Sequence, residues 1–272
     1  MLSAGGRHHG PVLHTINSCT ANAIGKGYAK HGRRLDIAGT HIYVDPQFVA
    51  EACISGKEPM LERLLSVIEP DQTFMDVGAY VGTYSIPVAQ LHKGSVNVIA
   101  FEPTPQTVLL FRKHLAYNRV KENVRIENVA CSDFTGDARF RIKMSASGCI
   151  PSFENHLHVD NAIDVDNEDR IINVGTITID DYLVGNSDKP DFIKVDVEGA
   201  ELLVLKGARG LLSNQRPVVF CELHKFNWDI FKTTESQLRD LLVQVGYEMK
   251  DVSTGRTMQE MPLHCYVILL PI

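Results

Sequence analysis

The sequence predicts an α/β fold wound doubly around a mostly parallel sheet. Three observations carry that expectation. From Thr73 to Cys131, short apolar runs alternate with segments of helical period in the order strand, helix, strand, helix, strand. Two glycines, Gly78 and Gly82, mark the first strand-to-helix turn. Carboxylates follow the apolar runs directly, Glu102 after Phe101 and Asp196 after Val195, at the rim where open α/β sheets bind ligands.

Taken in order, residues 1–35 have weak periodicity and several Gly, His and Arg, and predict an arm or lid-like extension. His41 to Val44 predicts a short strand ended by Asp45 and Pro46. Helical spacing follows over Phe48–Ile54 and Met60–Ile68, with Pro70 closing the second helix. An N-terminal extension, 1–55, is thus set off from a main domain, 56–272. Thr73–Val77, Val98–Phe101 and Val124–Cys131 predict buried strands, with helices over Val81–Leu91 and Thr104–Tyr117 between them. Ala138–Lys143 alternates like an antiparallel strand. Met144–Asp169 is polar, rich in Asn, Asp and His, and predicts a substrate-facing loop. Strands are expected at Ile171–Ile179, Phe192–Val195, Val218–Cys221 and Tyr266–Leu270, with a helix following Phe192–Val195 through Leu212 and another over Gln237–Val245.

With 272 residues, 44% hydrophobic and 22% charged, the chain can bury a substantial core. Its net charge of −6 argues against a general nucleic-acid or anionic-membrane binder. The six cysteines are scattered without metal-site spacing, which predicts free thiols in a reducing, cytoplasmic setting, with Cys131, Cys221 and Cys265 in buried context. No apolar run follows Arg7, His8 and His9, which argues against a signal peptide, and none reaches the ~18–20 residues of a membrane span. A soluble protein without membrane or nucleic-acid partners is expected, and homo-oligomerisation stays open.

The first turn reads Asp76-Val-Gly78-Ala-Tyr80-Val-Gly82. Its Gly-x-x-x-Gly spacing differs from the tighter Gly-x-Gly-x-x-Gly that cradles a pyrophosphate, which argues against an NAD-dependent oxidoreductase. Asp76 suits a cationic amino group and suits pyrophosphate poorly. Glu102, 20 residues after Gly82, stands where a carboxylate accepts hydrogen bonds from both ribose hydroxyls. Asn128 and Val129 end the third strand, where they either meet an adenine edge or form an ordinary turn.

Ile193 to Glu201 is the densest polar cluster at any strand end. Lys194 and Asp196 face one side of their strand, which brings Asp196 beside the ligand crevice. Glu198 and Glu201 fall near a helix start, where Glu201 alone reads as charge complementation. Glu222 and His224 follow the neighbouring strand. Asp196, Glu222 and His224 are therefore the candidate general bases, with His224 alternatively a surface histidine in a loop. This set could also bind a divalent cation, but no tight ligand spacing supports one, so no metal is assigned. His156 and His158 read as solvated loop residues.

These stretches together resemble the FkbM-type methyltransferase family. The matching segments are Phe74 to Gly82, Ala100 to Pro103, Asn128 to Ala130 with Ser132-Asp133, Thr178 to Asp181, and Ile193 to Glu201 with Leu205 to Ala208. The likeness runs from about Gly56 to Leu270. It implies a Rossmann-like class I methyltransferase fold with a seven-stranded sheet, S-adenosylmethionine as the methyl donor, and usually O-methylation of a hydroxyl on a sugar, polyketide or related small molecule. It carries Asp76, Gly78, Gly82 and Glu102 over as donor-binding positions, and Asp196, Glu198 and Glu201 as the second signature. One position departs from the family pattern, which usually has Asn where this chain has Tyr80. A non-catalytic methyltransferase-like binding module is the alternative, but such a module would be expected to have lost Asp76, Glu102 or Asp196.

Overall fold

The computed structural model describes residues 32–46, 48, 58–143, 155–157 and 170–272. Strands β1 (Arg33–Ile37) and β2 (Thr40–Val44) form an antiparallel hairpin. Its two-residue turn, Ala38-Gly39, has positive φ at both positions, which matches the twist of the flanking strands. Strand β1 therefore takes up the last residues of the expected arm, whose remainder lies outside the described residues. So does the expected helix over Phe48–Ile54, apart from Phe48 itself. Helix α1 (Pro59–Leu65) buries Met60, Leu61 and Leu64 and ends before the predicted Ile68.

The chain then lays down β3 (Thr73–Val77), α2 (Ser85–Gln90), β4 (Asn97–Phe101), α3 (Pro105–Asn118) and β5 (Val124–Glu127). Next come β6 (Ala130–Cys131), β7 (Gly136–Ile142), β8 (His156–Leu157), β9 (Arg170–Ile177) and α4 (Ile179–Val184). The remainder is β10 (Phe192–Val195), α5 (Glu201–Gly207), α6 (Arg209–Asn214), β11 (Val218–His224), α7 (Glu235–Val245), β12 (Tyr247–Asp251) and β13 (His264–Pro271). Among the described residues, no helix is long and apolar enough to cross a membrane.

Seven strands form the central sheet in the order β12-β13-β11-β10-β3-β4-β5. All run parallel except β13, which is antiparallel to both neighbours. Strand order reverses between β3 and β10, so the crevice of this doubly wound, Rossmann-like sheet opens at their carboxyl ends. Alternation along the strands feeds two cores. Met75, Val77, Ile99, Phe101, Ile193 and Val195 pack against α4–α7, whereas Phe74, Val98, Ala100 and Phe192 pack with α1–α3 and the hairpin.

Register decides what stands at the rim. Val77 pairs with both Phe101 and Val195, Val195 with Cys221, and Phe101 with Glu127. The residues that follow these, Gly78, Glu102, Asp196, Glu222 and Asn128, therefore line one edge of the sheet.

Several expected elements differ, and the helix expected over Val81–Leu91 begins only at Ser85. The run Val124–Cys131 is two strands in two sheets, because the Asn128 side chain turns back to donate to the carbonyls of Glu102 at 2.8 Å and Pro103 at 2.9 Å. Strand β6 instead joins a four-stranded sheet, β6-β9-β7-β8. The strand expected to reach Ile179 stops at Ile177, since Thr178 caps α4 by accepting the Asp181 N–H at 2.9 Å. The helix expected through Leu212 is two helices parted at Ala208. The strand expected to end at Cys221 runs on to His224. Cys131, Cys221 and Cys265 are buried free thiols, as anticipated.

Candidate active site

The glycine turn after β3 is set by backbone conformation. Gly78, Tyr80 and Gly82 have φ of 78°, 50° and 89°. A Cβ on Gly78 would lie 1.8 Å from the Asp196 carbonyl oxygen, and one on Gly82 would lie 2.1 Å from the Phe111 ring. Only glycine permits that approach between the turn, β10 and α3. Tyr80 occupies a left-handed position, which among side-chain-bearing residues favours Asn.

Glu102 closes the turn. Its Oε2 accepts the Tyr80 N–H at 3.1 Å and its Oε1 the Thr104 N–H at 2.8 Å. Burial raises its carboxyl to about 7, although both N–H groups favour the charged form. A carboxylate offers about four acceptor positions, so two remain for ligand hydroxyls.

Asp76 is fully buried and faces inward from β3. Its Oδ2 accepts from Ser85 Oγ at 2.6 Å, and its Oδ1 has no hydrogen bond but lies 3.4 Å from Lys194 Nζ. Lys194 stands directly opposite Asp76 in the β3–β10 ladder. Its ammonium donates to the Gly78 carbonyl at 2.9 Å, lies 3.1 Å from Asp196 Oδ2 and sits 5.0 Å from the Tyr84 ring centroid. Burial opposes its charge, but Asp196 and Asp76 outweigh that and hold the lysine pKa above its ordinary value. Burial raises the Asp196 carboxyl, with Lys194 pulling the other way.

His224 is the hub of the second half. It is 4% exposed. Its Nδ1 pairs with Glu201 Oε1 at 2.9 Å, and Glu201 also accepts Trp228 Nε1–H at 3.0 Å and the Gly199 N–H at 2.8 Å. Its Nε2 lies 3.5 Å from Glu198 Oε1, 3.5 Å from Glu222 Oε1 and 4.0 Å from Asp196 Oδ1. Burial works against its charge, yet Glu201 and Glu222 win and lift its pKa to about 11. Burial likewise works against the charge of Glu222, but His224 and His264 bring its carboxyl down to about 2. Glu198 is pushed up to about 8 by burial, partly offset by His224.

The structure thus brings Gly78, Tyr80, Gly82, Glu102 and Asp196 to one rim and joins Glu222 and His224 to them. His224 lies in a strand, not in a surface loop. Val129 is half-buried against Gly175, and Asn128 spends its amide on the β4 terminus. His156 is buried in β8, with its ring 6.2 Å from Phe231; His158 lies outside the described residues.

Sequence reasoning missed Glu58, Tyr84, His264 and Tyr266. Glu58 Oε2 accepts from the Tyr84 hydroxyl at 3.4 Å, and burial, then Glu222, raises its carboxyl to about 7. The alternation of His264 and Tyr266 in the last strand was the available signal for that wall.

Residues 76–249 match the sequence model of the family described as Methyltransferase FkbM domain. The chain is similar to the hexuronic acid methyltransferase AglP of Haloferax volcanii, 30% identical over 174 residues. That alignment covers 63% of this chain and 64% of the relative, less than two thirds of its length. It is also similar to Methyltransferase 1 of Beauveria bassiana, 24% identical over 181 residues, covering 61% of this chain and 71% of that protein. Among solved structures, methyltransferase FkbM from Methylobacillus flagellatus superposes with a TM-score of 0.48 at 17% identity, over 75% of this chain and 45% of that one.

Proposed function

The chain belongs to the methyltransferase FkbM domain family, and on that premise we propose that it transfers a methyl group from S-adenosylmethionine to a hydroxyl of a small molecule such as a sugar or polyketide. The observation that carries this reading is the pair of carboxylates around the glycine turn. Glu102 keeps two acceptor positions at the end of β4, and buried Asp76, paired with Lys194 and Ser85, holds the turn from β3. That set fits a ligand with a ribose and a cationic amino acid part and no pyrophosphate. Glu102 would hold the ribose hydroxyls, and the Gly78–Gly82 backbone would lie against the amino acid portion. Asp76 acts through Lys194 and Ser85, fixing the turn from below.

The donor supplies an electrophilic methyl carbon on a sulfonium. The chain must align the acceptor oxygen with it and take up the hydroxyl proton. Asp196 is the best placed base, because its side chain is 25% exposed, against 5% for His224, and burial raises its proton affinity. The oxygen–carbon bond forms as the carbon–sulfur bond breaks, and the proton passes to Asp196. His224 is the more buried group and its Nδ1 is held by Glu201, so its part is to position Glu222 and Glu198. The Haloferax relative, a hexuronic acid methyltransferase, supports an acceptor of the sugar class here.

Calorimetric titration with S-adenosylmethionine tests the reading, with NAD as comparator and Glu102→Ala as control. Saturable binding of S-adenosylmethionine alone, weakened at least tenfold in the variant, is expected. Folded protein that binds NAD, or neither ligand, would overturn it.

A further inference from the structure

Strands β11 and β13 place three ligating side chains on one spot. Glu222 and His224 are two apart in β11 and share a face. His264 stands directly opposite His224 in the antiparallel ladder. We propose that Glu222, His224 and His264 bind a divalent transition-metal ion at the mouth of the crevice.

Distances support one shared ion. The three ligand atoms all lie within 4.8 Å of one another. His264 Nε2 is 2.7 Å and His224 Nε2 3.5 Å from Glu222 Oε1. An ion bound at roughly 2.0–2.2 Å sets neighbouring ligand atoms about 3 Å apart, within about half an ångström of both distances to Glu222.

A second observation points to the ion independently. His224 is more than nine-tenths buried, and its Nε2, 3.5 Å from both Glu198 and Glu222, aims into the cluster, where an ion would take the place of the proton those carboxylates favour. Its other nitrogen is held by Glu201, which Trp228 and the Gly199 N–H hold in turn. A carboxylate fixing the far nitrogen of an imidazole is the arrangement that orients metal-bound histidines.

Two imidazoles and one carboxylate with further positions open suit a first-row divalent ion such as Mn2+ or Zn2+. Asp196 Oδ1 and Glu198 Oε1 lie 4.0 Å and 3.5 Å from His224 Nε2. At this place the ion would hold the acceptor oxygen and ease loss of its proton to Asp196. That role rests on the methyl-transfer reading, whereas binding of the ion does not.

The test is titration of the full chain, stripped by chelator, with MnCl2 by calorimetry and electron paramagnetic resonance. ZnCl2 and S-adenosylmethionine are titrated in parallel. One Mn2+ per chain is expected, weakened at least tenfold in both His224→Gln and His264→Gln. His264 is 43% exposed, so its variant remains folded even if His224→Gln does not. A chain that binds S-adenosylmethionine but neither ion overturns the metal site and leaves the function standing. Unchanged Mn2+ binding in the folded His264→Gln variant overturns the ligand assignment. Mn2+ binding without S-adenosylmethionine binding upholds the metal site and removes the proposed function.

Discussion

Lys194→Met is the substitution for which the structure gives the firmest expectation. The lysine side chain is 3% exposed and lies between fully buried Asp76 and the Asp196 carboxylate. Asp76 Oδ1 has no hydrogen bond, so Lys194 at 3.4 Å supplies its counter-charge while Ser85 serves only Oδ2. Methionine nearly preserves the volume, which keeps the packing term small. Removing one partner of a buried ion pair costs about 3–5 kcal/mol, because the other charge is left uncompensated. For a chain of this size that corresponds to a fall in Tm of roughly 10 °C. Urea unfolding followed by Trp228 fluorescence reads it directly, since the chain has one tryptophan and it is buried against Glu201. Asp76→Asn in the same background should restore about half of the loss. A loss below about 1 kcal/mol, or a double variant no more stable than the single one, would refute the reasoning.

Gly78→Ala should cost at least about 3 kcal/mol and abolish donor binding, since the new Cβ meets backbone at 1.8 Å and φ is 78°; a wild-type Tm would contradict this. Arg119, exposed at the end of α3 with φ of 58°, should gain up to about 1 kcal/mol on replacement by glycine, read by thermal unfolding. His114 accepts the Asp45 N–H at Nε2 and faces the Val81 carbonyl through Nδ1, and burial lowers its pKa to about 4. Its folded pKa lies below the unfolded value near 6.5, so the unfolded chain takes up the proton first as pH falls. Stability is full above about pH 6.5 and declines by roughly 3 kcal/mol towards pH 4. His114→Gln should lack that part of the decline in urea titrations at pH 7 and pH 4.5, and identical pH slopes would exclude it.

The strands that build the rim were legible because they are buried on both faces. Thr73–Val77 and Phe192–Val195 appear in the structure at their predicted bounds, since a continuous apolar run has little freedom once flanked by helices. Elements whose signals overlap were not. Ile179 continues the apolar alternation of β9, so the run hid α4, although Thr178 with Asp181 three residues later was a readable cap. Strand β12 carries Glu248, Lys250 and Asp251, the polar residues of a sheet edge, and gives no apolar run. Glu222 and His224 ended the apolar pattern of β11 while the strand continued, which is why a buried histidine read as a loop residue.

Position along the chain showed that Glu102 and Asp196 meet at one crevice, but not how the charges balance there. Five acidic side chains, of Asp76, Asp196, Glu198, Glu201 and Glu222, gather around two buried basic ones, Lys194 and His224. Desolvation makes each further negative charge at this rim costly. A pyrophosphate would add to that cost, whereas a sulfonium with an ammonium group would relieve it. The glycine spacing argues against a dinucleotide from backbone geometry, and the carboxylate excess argues the same from electrostatics. Both considerations favour a cationic donor at the junction of β3 and β10.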